Sequence, residues 1–183
     1  FGDEVILLIR VAERPKNPNS SVYLAPVFDP DENRLIVKAF ETDNPDYDFS
    51  DPRSIETPSG PYLTSISHLR IARSKDGVNF EIEETPALFP ANVYETYGIE
   101  DARITFLDGT YYVNYSAVSR LGVTTYLAST ADFRSFRRHG VIFAPENKDV
   151  EIFPERINGK YYALTRPSGS GFGRPEIWLA ESP

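Results

Sequence analysis

The chain has 183 residues, 40% of them hydrophobic and 25% charged, enough to bury a sizeable core as one domain. Its net charge of −8 repels phosphate backbones and anionic lipid, which argues against nucleic-acid and membrane-surface partners. With no cysteine and two histidines it lacks the ligands for a disulfide framework, a thiolate metal site or a histidine-based zinc centre, so no metal is expected.

No apolar run approaches the roughly 20 residues that a membrane span needs. The first element, "VILLIRVA" from Val5, is a short buried strand that carries Arg10 near its end. Residues 15–62 depart from any period. A hairpin is expected around Asp29-Pro30-Asp31-Glu32-Asn33. The acidic, proline-rich run 41–61 is read as a long solvated loop, or else as a rim loop that narrows a site or touches a neighbouring subunit.

A repeat then becomes visible. "FLDGTYYVNYSAVS" (106–119) returns as "RINGKYYALTRPSG" (156–169), with Gly159 standing 50 residues after Gly109. "TTYLAST" (124–130) returns in "PEIWLAES", and an earlier copy is "LRIARSKDGVNF" (69–80). Asp108-Gly109 and Asn158-Gly159 are hairpin dipeptides, because both residue types accept positive φ. Further turns are expected at Ser74–Gly77 and Ser129–Asp132. Several short strands per unit of about 50 residues is the pattern of a β-propeller blade. A β-sandwich also spaces short strands with turns, but has no reason to repeat its sequence. The fold class expected is therefore all-β, a propeller domain spanning residues 1–183. The copies amount to about three blades, fewer than the 4–8 that close a ring. The chain also opens on Phe1 without a methionine and stops within a blade, so a fragment of a longer protein is expected.

Charged residues that break the apolar pattern near strand ends are the candidates for chemistry. They are Arg10, Glu100, Asp101 and Arg103 in "GIEDAR", Lys148 and Asp149 in "ENKDVEIFPER", and Arg166 in "ALTRPSG". Each is costly there unless it meets an opposite charge or water. A single one could be an ion pair between blades; several at one strand end suggest a site. His68 is read as packed or hydrogen-bonded, and His139 as a surface residue. Trp178 and the pairs Tyr111-Tyr112 and Tyr161-Tyr162 are read as blade core. The glycine-rich stretch "SGSGFGRP" from Ser168 is read as a flexible loop without a phosphate-cradling lysine.

Together "GIEDARITFLDGTYYVNYSAVS", "SISHLRIARSKDGVNF", "NKDVEIFPERINGKYYALTRP" and "PEIWLAESP" resemble glycoside hydrolase family 130. The resemblance implies a five-bladed propeller acting on β-mannosides, as a phosphorylase in most branches and a hydrolase in some. It implies that Asp101 is the proton donor, with Glu100 and Arg103 fixing its setting or contacting sugar. Arg10 then contacts the mannosyl unit, and Lys148 and Arg166 stand where family phosphorylases bind phosphate. Members usually carry proline where this chain has Ala102. An upstream Asn/Ser segment and further basic residues of the phosphate site fall outside this sequence.

The residue types suit that chemistry independently. An inverting hydrolase needs a second carboxyl about 6.5–9.5 Å from the acid. Adjacent strand residues point to opposite faces, so Glu100 and Asp101 are not expected to form that pair. A phosphorylase needs no base, because phosphate is itself the anionic nucleophile and cations hold it in line. As an acid, Asp101 has to keep a proton near neutral pH, which burial and Glu100 favour and Arg103 opposes. The expected activity is inverting phosphorolysis of a β-mannoside oligosaccharide to α-mannose 1-phosphate, with inorganic phosphate as co-substrate and no cofactor. The alternatives are a hydrolase whose base lies beyond this chain, or a propeller that only binds glycans or proteins. A cytoplasmic address and a possible homo-oligomer are expected.

Overall fold

The computed structural model describes residues 1–168 and 176–183, and the glycine-rich loop predicted from Ser168 lies almost wholly outside them. The fold is all-β. In chain order it runs β1 (Val5–Glu13), the hairpin β2 (Val22–Asp29) and β3 (Arg34–Glu41), the short pair β4 (Ser54–Ile55) and β5 (Tyr62–Leu63), then β6 (Ile66–Ser74) and β7 (Glu81–Ile82). A 3-10 turn at Val93–Glu95 leads into β8 (Gly98–Leu107), β9 (Thr110–Ser119), β10 (Gly122–Thr130) and β11 (Arg137–Phe143). The last three strands are β12 (Asn147–Ile152), β13 (Tyr161–Pro167) and β14 (Trp178–Ser182). Among the described residues no helix is long and apolar enough to cross a membrane.

These strands make three propeller blades: β1-β6-β7, the four-stranded meander β8-β9-β10-β11, and β12-β13-β14. Pairing fixes the equivalence seen in the repeat, since Leu8 lies opposite Ile71, Asn114 opposite Leu127 and Leu164 opposite Leu179. Both predicted turns form with two consecutive left-handed residues, Asp108-Gly109 at φ 50° and 79° and Asn158-Gly159 at 52° and 81°. That twist matches the right-handed twist of the strands they join. The first two blades touch through one parallel bridge, Ser67 to Gly98. A Cβ on Gly98 would sit 2.6 Å from the Ser67 nitrogen, and its φ is 118°, so glycine alone permits the approach. Ser67 and Gly98 thereby bring the Arg10 strand against the Glu100 strand.

The main core joins Leu69, Leu88, Ile99, Val113, Tyr115, Tyr126 and Ala128. Behind it Glu95, fully buried, accepts from Arg138 Nη1 at 2.6 and 2.8 Å, from Tyr115 Oη at 2.8 Å and from the Ala91 amide at 2.7 Å. His68 is buried, with Nε2 accepting from Arg70 Nε at 3.0 Å, and burial lowers its pKa. His139 is exposed. Tyr111 packs on Phe106 and Phe133, with ring centroids 4.6 and 4.8 Å away.

Two expectations are corrected. Trp178 is 60% exposed rather than blade core, because among the described residues β14 pairs only with β13 and forms an open edge. The run 41–61 is not a merely solvated loop. The predicted hairpin forms, with Asn33 left-handed at its turn, and a second aromatic cluster of Ala25, Phe40, Ile55, Tyr62 and Tyr97 gathers Tyr47 and Phe49 from the acidic run. Side chains of Asn44, Asp48 and Asp51 each accept from the amide two residues on, which gives the segment fixed turns without any strand period. The insertion joins the end of β1 to the start of β6, and Tyr97, just before β8, donates to the Pro61 carbonyl at 2.7 Å. It therefore stands on the rim beside the strand ends that carry Arg10 and Glu100.

Candidate active site

The two inner strands carry the same irregularity. In β8, Glu100 pairs with Ser116 and Arg103 with Asn114, so Asp101 and Ala102 together face Tyr115. In β12, Lys148 pairs with Arg166 and Glu151 with Leu164, so Asp149 and Val150 together face Thr165. These are β-bulges, and the first residue of each is a left-handed aspartate, Asp101 at φ 53° and Asp149 at 55°. Aspartate is among the few side chains that enter this region, at an energetic cost that persists where surrounding structure or function holds it.

The bulge changes where the acids point. Alternation along a regular strand would separate Glu100 from Asp101, but both meet the guanidinium of Arg10. Nη2 pairs with Glu100, and Nη1 lies 3.2 Å from Asp101 Oδ1. The opposite-face expectation is thus overturned by the left-handed turn at Asp101. Arg10 is held on its third side by Nε donating to Ser67 Oγ at 3.1 Å. Glu100 is the more enclosed carboxyl, its side chain 25% exposed against 45% for Asp101. Burial raises the pKa of Glu100, opposed by Arg10 and assisted by the charge of Asp101. The charges of Lys148 and Asp149 also reach it, so the two bulges share one electrostatic neighbourhood.

The other candidates are placed less as expected. Arg103 does not stand against Asp101; its Nη1 reaches across the seam to Glu151 at 2.8 Å, in an exposed pair. The cation beside Asp101 is Arg10, and Asp101 is half-exposed rather than buried. Arg166 is not a free cation either. Its Nε donates to Asp149 Oδ2 at 2.7 Å and its Nη2 meets the same oxygen, which orients the guanidinium and leaves Nη1 for another acceptor. Lys148, on β12 beside Asp149, forms no ion pair among the described residues. Sequence reasoning counted Asp149 among the candidates but assigned it no specific role, although it stands 48 residues after Asp101. Ser67 was missed altogether, since nothing in the sequence marks the contact that brings it to Arg10.

A cleft of about 510 Å³ lies in the insertion, between Lys38, Phe40, Tyr47 and Tyr62. Among the described residues it holds no ion pair of the kind seen at the bulges. No cluster of three potential metal ligands occurs among the described residues.

Comparison with known proteins identifies the family. Residues 61–183 match the glycoside hydrolase family 130 model, described as beta-1,4-mannooligosaccharide phosphorylase. The chain is 51% identical to a beta-1,2-mannobiose phosphorylase of Listeria innocua, covering all of this chain and 53% of that protein. It is 38% identical to a 1,2-beta-oligomannan phosphorylase of a Thermoanaerobacter species, over 68% of this chain and 41% of that one. The Listeria innocua structure, solved with beta-1,2-mannobiose, superposes with a TM-score of 0.94 over the whole chain and 53% of its own length. A glycosyl hydrolase from Bacteroides ovatus, 24% identical, shares the fold with a TM-score of 0.58 over 93% of this chain and 55% of that one. The chain spans about half the length of these relatives. It belongs to glycoside hydrolase family 130, as part of that family's five-bladed propeller.

Proposed function

We propose that the complete protein is an inverting β-mannoside phosphorylase, for which this chain supplies the proton donor and part of the phosphate site. The observation that carries the proposal is the paired bulge: Asp101, Glu100 and Arg10 at one inner strand, Lys148, Asp149 and Arg166 at the next. The names of the relatives favour a β-1,2-linked mannoside as the substrate.

Asp101 donates its proton toward the glycosidic oxygen, through a hydroxyl of the bound sugar, as the C1–O bond breaks. An oxygen of hydrogen phosphate bonds C1 from the opposite face, giving α-mannose 1-phosphate and the shortened mannoside. The proton that phosphate releases on attack balances the one that Asp101 delivers. Arg10 holds both carboxyls and offers its exposed edge to the mannosyl unit. Lys148 and Arg166 Nη1 neutralise and aim the phosphate, which needs no carboxylate base. Arg103 secures the seam between blades. A cytoplasmic address suits this chemistry, because a sugar phosphate is retained inside a cell.

The test is product analysis of the complete protein on β-1,2-mannobiose with and without phosphate. Mannose 1-phosphate formed only when phosphate is present supports the proposal; free mannose released at a rate indifferent to phosphate means a hydrolase.

A further inference from the structure

One strand of each blade pairs its neighbour at the same place in the repeat, and in two blades that place is apolar, Leu8 in β1 and Leu164 in β13. In β9 that place is taken by Asn114, which is 2% exposed. A buried amide is costly unless its polar atoms are bonded. Among the described residues Asn114 Oδ1 has no partner, whereas Nδ2 donates to the Val150 carbonyl at 2.8 Å. A half-satisfied amide where the other blades carry leucine is hard to justify by stability alone.

What the bond grips is the bulge of the neighbouring blade. Val150 follows left-handed Asp149, and Asp149 orients Arg166. Two threonines flank the grip, Thr105 donating to the Ile152 carbonyl at 3.3 Å and Thr125 to the Asn147 carbonyl at 3.4 Å. Asn114 makes the shortest of these three bonds onto β12 and the only one of them at the bulge. We infer that Asn114 is a positioning residue for phosphate, holding the Asp149–Val150 bulge so that Lys148 and Arg166 are aimed at the anion. The inference rests on the phosphorylase reading and adds a residue that touches neither substrate.

Two variants of the complete protein test it by initial rates, with phosphate and β-1,2-mannobiose varied in turn. Asn114→Leu installs the residue of the other two blades, so the fold holds and Tm stays level or rises. Its KM for phosphate rises about tenfold or more, while its KM for the mannoside stays within about twofold. Asn114→Asp keeps the size but loses the donor at neutral pH. Its phosphate KM is raised there and returns toward the wild-type value on acidification, when the protonated carboxyl can again donate to Val150. Equal changes in both KM values, or a fall in Tm with neither KM moved, overturn the inference while leaving phosphorolysis intact. Wild-type turnover indifferent to phosphate refutes the phosphorylase reading, and the inference with it.

Discussion

Replacing Asp101 by asparagine removes the transferable proton and the charge that pairs with Arg10. The side chain keeps its shape, and its amide oxygen can still accept from Arg10. The Arg10–Asp101 pair is nearly half exposed, 44% and 45%, so its loss costs at most about 1 kcal/mol of stability. The catalytic loss is much larger. A positioned general acid contributes about 10²–10⁴ in rate, or roughly 3–5 kcal/mol of transition-state stabilisation. Phosphorolysis of β-1,2-mannobiose by Asp101→Asn therefore falls by about that factor, with an unchanged melting curve. The deficit shrinks with a β-mannoside whose leaving group is acidic, such as a nitrophenol, because that oxygen needs less help from a proton. Glu100→Gln, altering the neighbour on the same guanidinium, loses about tenfold or less. An Asp101→Asn enzyme within tenfold of wild type would refute the assignment, as would an equal loss on both leaving groups.

Arg166→Leu removes the proposed phosphate contact and the partner of Asp149; the KM for phosphate rises at least about tenfold while that for the mannoside changes little, as initial rates will show. Arg138→Met strands the fully buried Glu95 carboxylate and lowers stability by about 3–5 kcal/mol in urea unfolding. The raised pKa of Glu100 means that the folded chain binds its proton more tightly than the unfolded chain does, so this group's contribution falls as pH rises from the ordinary carboxylate value of 4.5 through the folded value. Glu100→Gln consequently gains more in Tm, relative to wild type, at pH 7 than at pH 4. His68 has the opposite sign: its lowered pKa makes stability fall as pH drops below 6.5, and His68→Phe flattens that part of the stability–pH curve.

The blade pattern was legible because hairpin chemistry repeats with the strands. Asp108-Gly109 and Asn158-Gly159 can serve only turns of one twist, and the aromatic strands after them keep register. Arg10, Glu100, Asp101, Lys148 and Arg166 could be picked out because charge at an inner strand end is conspicuous. Their mutual geometry could not. A left-handed residue that is aspartate rather than glycine leaves no mark, so Glu100 and Asp101 read as back to back when they share Arg10. The partner of Arg103 was equally hidden, since Glu151 lies 48 residues away across a blade seam. The acidic insertion looked solvated because its order comes from local Asx turns and two aromatics, Tyr47 and Phe49, rather than from any period. Trp178 looked like core because tryptophan usually is, but a side chain on an edge strand is buried only by a further layer.

The most direct measurement is the fate of the anomeric carbon when the complete protein turns over β-1,2-mannobiose in phosphate, followed by phosphorus and proton NMR. Phosphorolysis by Asp101 against a phosphate held at Lys148 and Arg166 yields α-mannose 1-phosphate from the first turnover, in amounts set by phosphate. Free mannose appearing at the same rate without phosphate, or a β-configured ester, would contradict it.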